Sequence, residues 1–183
     1  FYDFELDLYT DNANADIIKR VRPGSEILEF GPAYGRMTKY LTEDLKCSVD
    51  IVEMDSESGN VAAQYARQAC VGPDNGNIES SYWTKVFAHK HYDAIIFTDV
   101  LEHLHDPKQT LKECRLFLKD DGCVLCSIPN IAHSSIILSL FSGRFNYTKT
   151  GLLDQTHVHF FTEESFLNMI YACGYYPSFE HAI

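Results

Sequence analysis

Residues 26–35, with the sequence EILEFGPAYG, constrain the fold of this chain more than any other stretch. A mostly apolar run over 27–30 is closed by Gly31 and Pro32, which predicts a buried strand ending in a tight turn. After Gly35 the period becomes helical, with side chains of one face at Met37, Tyr40, Leu41 and Leu45. A strand, a glycine turn and a helix in this order leave backbone N–H groups free to face a ligand above the carboxyl end of the strand.

Strand and helix alternate along the chain as far as residue 130. The clearest strand is 92–99, because it is nearly continuous in apolar side chains, as a central parallel strand is. This alternation predicts an α/β fold with a doubly wound, mostly parallel sheet and helices on both faces. Further strands are predicted at 47–54, 123–128 and 175–183, with a short or irregular one near 70–77, and helices at 13–21, 56–69, 131–141 and after Thr162.

The composition limits the kinds of protein that this chain can be. With 183 residues, of which 45% are hydrophobic and 22% charged, the chain fits one globular domain over 1–183. No apolar run is long enough to span a bilayer, so we expect no membrane partner. The net charge of −11 disfavours nucleic acid as a partner, because such binding depends on Lys and Arg. Six cysteines scattered among apolar positions are typical of a reduced, cytoplasmic protein.

The spacing of the glycine turn distinguishes between nucleotide ligands. A dinucleotide loop has the pattern G-x-G-x-x-G, whereas this turn has Gly31, Ala33 and Gly35, with Glu29 two places before the first glycine. The turn resembles the first motif of the class I S-adenosylmethionine-dependent methyltransferases, E/D-x-G-x-G-x-G, with Ala33 in the middle glycine position. Because glycine in that position allows positive φ, alanine predicts a negative φ and a slightly tighter pocket.

The resemblance covers nearly the whole chain and implies a Rossmann-like fold. Residues 26–130 resemble the cofactor-binding core in order and spacing, and DVLEHL at 99–104 is a second motif. S-adenosyl-L-methionine is therefore the expected methyl donor and S-adenosyl-L-homocysteine the product. The family fold also has a seventh, antiparallel strand beside the sixth. Because the chain stops before that strand and starts at Phe1, we expect either a trimmed fragment or a partner that supplies the missing edge.

Cofactor-binding residues are expected where the first four strands end. Glu53 ends the second strand about 20 residues beyond the turn, where an acid accepts both ribose hydroxyls, and Asp55 is the alternative. Residues 76–78, Gly-Asn-Ile, resemble the family's Gly-Asp-Ile segment, whose acid accepts from the adenine amino group. Asn77 and Glu79 are both candidates for that role. The whole expected set is Glu29, Gly31, Pro32, Ala33, Tyr34, Gly35, Glu53, Met54, Asp55, Asn77, Ile78, Asp99 and Val100.

Residues 131–161 interrupt the alternation beside the edge where ligands bind in open α/β sheets. We interpret them as a substrate lid between the core and a C-terminal helix and strand at 162–183. Their motifs resemble methyltransferases of bacterial polysaccharide and glycan biosynthesis, which implies a small-molecule or glycan acceptor. These motifs are PNIAH at 129–133, GRFNY at 143–147, GLLD at 151–154 and HVHFFT at 157–162. The apolar Ile136, Ile137 and Leu140 fit burial under the lid or in a homodimer equally well.

Methyl transfer to an oxygen acceptor requires in-line alignment and removal of the acceptor's proton. The proton acceptor is then a histidine, an aspartate or a group on a metal. His103 follows the fourth strand by a few residues, so we expect it beside the methyl group as the general base. His133, His157 and Asp154 are the other candidates near this edge. Each histidine has the alternative role of only tying loops together by hydrogen bonds.

Two other functions fit the same residues. Asp99, Glu102 and His103 are similar in spacing to E-x-x-E-H of metal-dependent small-RNA 2′-O-methyltransferases, and such groups chelate Mg²⁺ or Mn²⁺. We do not favour a metal here, because the first acid is an aspartate and the acidic charge argues against RNA. The other alternative is a module that binds the cofactor without catalysis, which the departures at Ala33 and Asn77 favour. A lid rich in histidine and aromatic residues argues for an enzyme.

Overall fold

The computed structural model describes residues 12–178, and five strands of this part form one sheet. All neighbouring pairs run parallel, and the predicted doubly wound α/β architecture is confirmed. The strands are β1 (Glu26–Phe30), β2 (Ser48–Glu53), β3 (Gln68–Val71), β4 (Tyr92–Thr98) and β5 (Leu118–Ser127). Their order across the sheet is β3-β2-β1-β4-β5.

Helices cover both faces of the sheet, as the alternation predicts. They are α1 (Asn12–Ile18), α2 (Arg36–Glu43), α3 (Ser56–Ala62), α4 (Tyr82–Val86), α5 (Pro107–Cys114), α6 (Ser134–Phe141) and α7 (Glu163–Ala172). Side chains of α1, α2 and α3 share one buried cluster, and those of α4, α5 and α7 share the other. Three short 3₁₀ helices lie at Ile78–Ser80, Leu101–His103 and Arg115–Phe117.

Alternate side chains of β1 supply the two cores. Ile27 packs in the cluster of α1 to α3, while Leu28 and Phe30 pack in the opposite one, because successive strand residues point to opposite faces. The Phe30 ring stacks on Phe97 with 4.7 Å between centroids and meets Trp83 edge-on at 5.0 Å. Burial on both faces explains why the central strands are nearly continuous in apolar residues.

The strand order reverses at β1, whose neighbours are β2 and β4. The chain leaves β1 toward one side and β4 toward the other, so the loops after these two strands diverge and open a crevice at the carboxyl edge. Gly31 begins the first of these loops and Asp99 the second. The sheet therefore brings together the two motifs that the sequence marks as specific.

The helix predicted over 56–69 is wrong in its second half, because α3 ends at Ala62 and 68–71 forms β3. The carboxylate of Asp50 is fully buried and accepts from Arg67 Nε at 3.0 Å and Nη2 at 2.6 Å. Burial raises the pKa of Asp50, but hydrogen bonds from Arg67, Lys90 and Tyr92 outweigh that effect and lower it. A charge pair between strands thus overrides the helical spacing of the local sequence.

The two ends of the chain agree only partly with the predictions. Helix α7 begins after Thr162 as predicted, with the Thr162 hydroxyl accepting from Ser165 N at 3.2 Å. The sixth strand predicted over 175–183 is not formed in its described part, 175–178, and the remainder lies outside the described residues, as does 1–11. Between residues 12 and 178 we find no helix with the length and apolar character needed to cross a bilayer.

Candidate active site

The first loop of the crevice needs glycine at two positions. Gly31 has φ 65°, and a Cβ added there would lie 2.6 Å from Cγ2 of Val100, which leads out of β4. Gly35 has φ 74°, and a Cβ there would lie 2.6 Å from the Cα of Ala62 in α3. These contacts pack the loop against both of its neighbours, so the glycine pattern serves close approach as well as left-handed backbone.

Ala33 corrects the prediction for the middle position of the turn. Its φ is 49°, so alanine adopts the left-handed conformation that glycine would adopt. Its N–H donates to Glu53 Oε2 at 3.0 Å, and this bond holds the loop over the end of β2. Tertiary hydrogen bonding therefore imposes the positive φ, at a cost of about 1 kcal/mol for a residue with a Cβ.

We expect Ala33→Gly to raise the free energy of unfolding by up to about 1 kcal/mol, because it removes that strain. The gain is reduced by the larger backbone entropy of glycine in the unfolded chain. Ala63→Gly is the matched control. Because Ala63 has φ −58°, which is unstrained for alanine, the same change there should lower the free energy of unfolding. Urea unfolding of both variants measures the difference, and an equal loss in both would contradict the strain at Ala33.

Glu53 ends β2 with its carboxylate facing the glycine turn. Besides Ala33 N–H, it accepts from Asp55 N–H at 2.8 Å. Asp55 is the N-cap of α3, because its Oδ1 accepts from Ser58 N at 2.8 Å. Glu53 is therefore better placed than Asp55 for the ribose role. Met54 and Tyr34 are 58% and 54% exposed, and Pro32 is half-buried.

The segment after β3 contains the two candidates for the adenine contact. Asn77 caps the short helix at 78–80, since its Oδ1 accepts from Glu79 N at 3.0 Å, and Ile78 is buried. The Glu79 carboxylate accepts from Asp106 N at 2.7 Å and lies 3.1 Å from His105 Nδ1. The Glu79 carboxylate is thus directed at the segment that begins α5, whereas Asn77 Oδ1 makes only a local bond to the backbone of its own turn.

Glu29 is the buried acid of the first motif. It is 1% exposed, and its Oε2 accepts from the Thr38 hydroxyl at 2.7 Å. Burial raises the pKa of Glu29 to about 7; the Thr38 bond opposes this shift and nearby Glu53 adds to it. Thr38 is a partner of Glu29 that was not predicted from the sequence. Its position two residues after the start of α2 puts it over the end of β1.

The raised pKa of Glu29 predicts a pH-dependent stability. A carboxyl whose folded pKa lies above its unfolded value stabilises the fold at low pH, and that stabilisation is lost as the pH rises toward about 7. From pH 5 to pH 8 we expect the wild type to lose roughly 2 kcal/mol relative to Glu29→Gln. Urea unfolding at both pH values measures this, with Glu57→Gln at an exposed position as control. A constant difference between wild type and Glu29→Gln would contradict the shift.

The chain after β4 forms the second wall of the crevice. Asp99 has φ 50°, its N–H donates to Ser127 O at 3.2 Å, and its Oδ1 accepts from the Ser127 hydroxyl at 3.1 Å. Strain of this kind in a non-glycine residue is found mostly at functional sites. The buried Val100 then lies over Gly31, so the ends of β1 and β4 touch.

A cluster of three titratable side chains lies directly beyond this wall. One ligand-type atom each from Glu102, His103 and His157 lies within 4.8 Å of the other two. The histidine rings are 4.8 Å apart between centroids, and His157 Nε2 is 4.0 Å from Glu102 Oε1. The backbone carbonyl of Glu102 accepts from Val158 N at 2.9 Å and His159 N at 3.0 Å. The lid thereby brings His157 to a site more than fifty residues away in sequence.

Glu102 is the unusual member of this cluster. It is 1% exposed, and neither carboxylate oxygen has a hydrogen-bond partner among the described residues. Burial raises the pKa of Glu102 to about 8, with a further contribution from the charge of Asp99. Burial also lowers the pKa of His157, and His103 adds to that shift. The sequence marks Glu102 only as a possible metal ligand beside Asp99 and His103, because the burial of a side chain cannot be read from the sequence.

Hydrogen bonds fix the orientation of His103. Its Nδ1 lies 3.2 Å from the Thr156 carbonyl oxygen, which can only accept, so Nδ1 carries the proton and Nε2 a free lone pair. The Thr156 hydroxyl is also 3.2 Å from Nδ1 and donates to Asp154 Oδ1 at 2.7 Å. Asp154 thus supports His103 through Thr156. His133 is exposed, caps α6 through Ser135 and stands outside the cluster.

Comparison with known proteins assigns the family. A family model described as a methyltransferase domain matches residues 6–177. The ubiquinone biosynthesis O-methyltransferase of Ruegeria sp. (strain TM1040) is 25% identical over 143 residues, covering 77% of this chain and 53% of the relative. The protein of that name from Actinobacillus pleuropneumoniae serotype 7 (strain AP76) is 23% identical over 125 residues, covering 67% and 53%. The chain thus spans about half the length of these relatives.

Solved structures share the fold at low sequence identity. A SAM-dependent methyltransferase from Archaeoglobus fulgidus has a TM-score of 0.65 at 16% identity, covering 93% of this chain and 68% of that one. A putative methyltransferase from Haloferax volcanii, in complex with the activator Trm112, has a TM-score of 0.63 at 13% identity, covering 88% and 67%. The [4+2]-cyclase SpnF has a TM-score of 0.62 at 12% identity, covering 87% and 55%, so the fold alone does not define the reaction.

The family match extends over nearly the whole chain, and the sheet has the order that the fold requires. The relatives described above are named for ubiquinone biosynthesis, so the narrower resemblance to glycan enzymes is not confirmed. The chain belongs to the methyltransferase-domain family, and its fold is that of the class I S-adenosylmethionine-dependent methyltransferases.

Proposed function

We propose that this chain transfers the methyl group of S-adenosylmethionine to an oxygen atom of a small hydroxylated acceptor. The observation that carries the proposal is the orientation of His103: its Nδ1 is held by Thr156, and its Nε2 makes no hydrogen bond within residues 12–178. When bound, the cofactor supplies an activated methyl group on its sulfonium. The residues of the chain then have to align the acceptor and remove its proton, which are tasks that His103 suits.

The crevice residues fit the cofactor. The Glu53 carboxylate can accept from two hydroxyls, and Gly31 and Gly35 let the turn pack closely on Val100 and Ala62, which positions the backbone of the turn at the crevice. Exposed Tyr34 and Met54 follow the turn and β2 directly and offer apolar surface to a flat base. In this proposal Ile78 and Asn77 hold the adenine, and Glu29, Asp99 and Val100 shape the floor.

The lid supports an acceptor that contains a ring. A series of ring contacts runs outward from the cluster: His157 to Phe160 at 6.1 Å, Phe160 to Phe145 at 5.8 Å, and Phe145 to Tyr147 at 5.6 Å. Aromatic faces pack against the apolar face of a sugar ring as well as against a phenol. A hydroxyl on such a ring would then be turned toward His103 and His157, so sugars and phenols are the two classes to test first.

The test separates cofactor binding from turnover. Calorimetric titration with S-adenosylhomocysteine measures the cofactor site, and transfer of a labelled methyl group into a panel of sugars and phenols measures the reaction. Saturable binding with transfer to one class supports the proposal. No binding by the folded wild type would contradict it for this chain. Binding without transfer to any hydroxyl would instead favour the module that only binds the cofactor.

A second candidate, divalent-metal-assisted O-methylation, is favoured by one specific observation, namely the buried Glu102 with two unpartnered oxygens. One carboxylate and two imidazoles make a donor set that suits Mn²⁺ or Zn²⁺ better than Mg²⁺, which prefers oxygen. The 4.0 Å between His157 Nε2 and Glu102 Oε1 is wider than the separation of about 3.4 Å between two ligands of a tetrahedral ion at about 2.0–2.2 Å, so a bound ion would draw these side chains together. A metal bound there would polarise the acceptor hydroxyl.

Thermal unfolding tests this candidate without requiring activity. We expect Mn²⁺ or Zn²⁺ at one hundred times its Kd to stabilise the wild type by about 2.7 kcal/mol and to leave Glu102→Gln unaffected. Glu57→Gln, at an exposed position, should respond like the wild type. Equal behaviour of wild type and Glu102→Gln with each ion would exclude the site.

RNA as the acceptor is disfavoured by the net charge of −11, and an oligonucleotide in the acceptor panel checks it.

A further inference from the structure

Helix α6 presents its apolar side chains outward. Of its side chains only Ile136 is buried, although the sequence is SSIILSLF. Leu138 is 65% exposed, Leu140 52% and Phe141 85%. A surface helix of a globular domain normally has the opposite arrangement, with the apolar stripe against the core. The apolar surface continues past the helix, because residues 141–151 are all exposed and include Phe145 and Tyr147.

The same segment differs from the rest of the chain in charge. No aspartate or glutamate occurs in residues 122–153, although the whole chain has a net charge of −11. Arg144 and Lys149 lie within the exposed stretch, and neither forms an ion pair with any residue of 12–178. We call this surface the lid face and define it by Ile137, Leu138, Leu140, Phe141, Arg144 and Lys149. It combines apolar side chains with positive charge only.

We propose that the lid face docks on the surface of an anionic lipid bilayer. Leu138, Leu140 and Phe141 would enter the boundary between headgroups and acyl chains, and Arg144 and Lys149 would contact lipid phosphates. An eight-residue helix is about 12 Å long, so it lies in the interface and does not span it. The sequence-based prediction of no membrane partner was argued from the lack of a run long enough to span a bilayer. This proposal departs from that prediction, because contact with the bilayer surface does not require such a run.

The charge of the lid face distinguishes a bilayer from a second copy of the chain. In a symmetric dimer the same patch meets itself, so Arg144 and Lys149 of both copies would be brought together without a carboxylate in the patch. Nucleic acid fits less well, because two cations are few for phosphate binding and the aliphatic Ile137, Leu138 and Leu140 offer no stacking face. An anionic surface with an apolar interior satisfies both properties of the lid face.

Vesicle flotation tests the proposal with the full chain. Vesicles of phosphatidylcholine mixed with phosphatidylglycerol should bind the protein, and vesicles of phosphatidylcholine alone should bind it more weakly. Arg144→Gln with Lys149→Gln should lower the partition coefficient on mixed vesicles on the order of 20-fold, from about fivefold per cation. Leu138→Ser with Phe141→Ser should lower it roughly tenfold or more on both kinds of vesicle. These side chains are exposed, so the fold should tolerate the changes.

Matched controls use exposed residues outside the lid face. Leu116→Ser changes a leucine that is 73% exposed, and Lys85→Gln with Lys108→Gln removes two exposed cations. Neither control should change partitioning more than about twofold, as for substitutions away from a contact. No flotation of the folded wild type with mixed vesicles would overturn the proposal. An equal loss of partitioning in the controls and in the lid-face variants would also overturn it. So would a protein that binds no vesicles and forms a dimer, seen by light scattering, that Leu138→Ser disrupts.

Discussion

Glu53→Ala is expected to weaken the binding of S-adenosylhomocysteine by about 10²-fold to 10⁴-fold. A carboxylate that accepts from two hydroxyls makes two charge-assisted hydrogen bonds, each contributing about 1.5–3 kcal/mol. The substitution also removes the acceptor of Ala33 N–H and Asp55 N–H, so the glycine turn loses its tether to β2. Calorimetric titration at fixed pH measures the affinity directly.

Two controls make the Glu53 result interpretable. Glu57→Ala changes an exposed glutamate four residues away and should leave the affinity within about twofold. The free energy of unfolding of Glu53→Ala should stay within about 2 kcal/mol of the wild type, because the residue is only half-buried. An unchanged affinity in a folded Glu53→Ala protein would remove Glu53 from the ribose role and make Asp55 the next candidate.

His103→Gln is expected to lower kcat on an identified acceptor by about 10²-fold to 10⁴-fold, the range for loss of a general base. The affinity for S-adenosylhomocysteine should not change, because the ring is held by Thr156 of the lid and not by the glycine turn. Steady-state kinetics with saturating cofactor, together with calorimetry, separate these two quantities.

His133→Gln is the matched control for His103→Gln. His133 is exposed and stands outside the cluster, so kcat should change by less than about threefold. A larger loss in His133→Gln than in His103→Gln would exchange their roles. Chelation with EDTA then distinguishes the two ways in which His103 can act: turnover that persists without metal supports the base, and turnover that stops supports the metal candidate.

The sequence predicted those parts of the fold that depend on local pattern. The strand β1, the turn after it and the start of α7 after Thr162 have signals within a few residues, and the structure contains all three. The end of α3 and the φ of Ala33 were predicted wrongly, because both depend on partners distant in sequence. Arg67, the residue before β3, is held against β2 by buried Asp50, and Ala33 is held by its bond to Glu53.

The candidate site shows the same division. Position along the strands predicts Glu53 and His103 at the ligand-binding edge, since the carboxyl ends of parallel strands meet there, and their roles stay predictions. The pairing of His103 with His157, the support from Thr156 and the isolation of the Glu102 carboxylate arise only when the lid folds back. No spacing rule covers such contacts, so the sequence named the histidines without showing which two would meet.

The two N–H bonds from the lid to the carbonyl of Glu102 also bear on the order in which the site forms. They close a loop of more than fifty residues, whereas the contacts of the glycine turn with β2 and α3 close much shorter ones. Loop closure over long separations costs more chain entropy and contributes to slow folding. Hydrogen exchange should therefore find the amides of Val158 and His159 less protected than those of β1, with the cofactor half of the site persisting when the acceptor half opens.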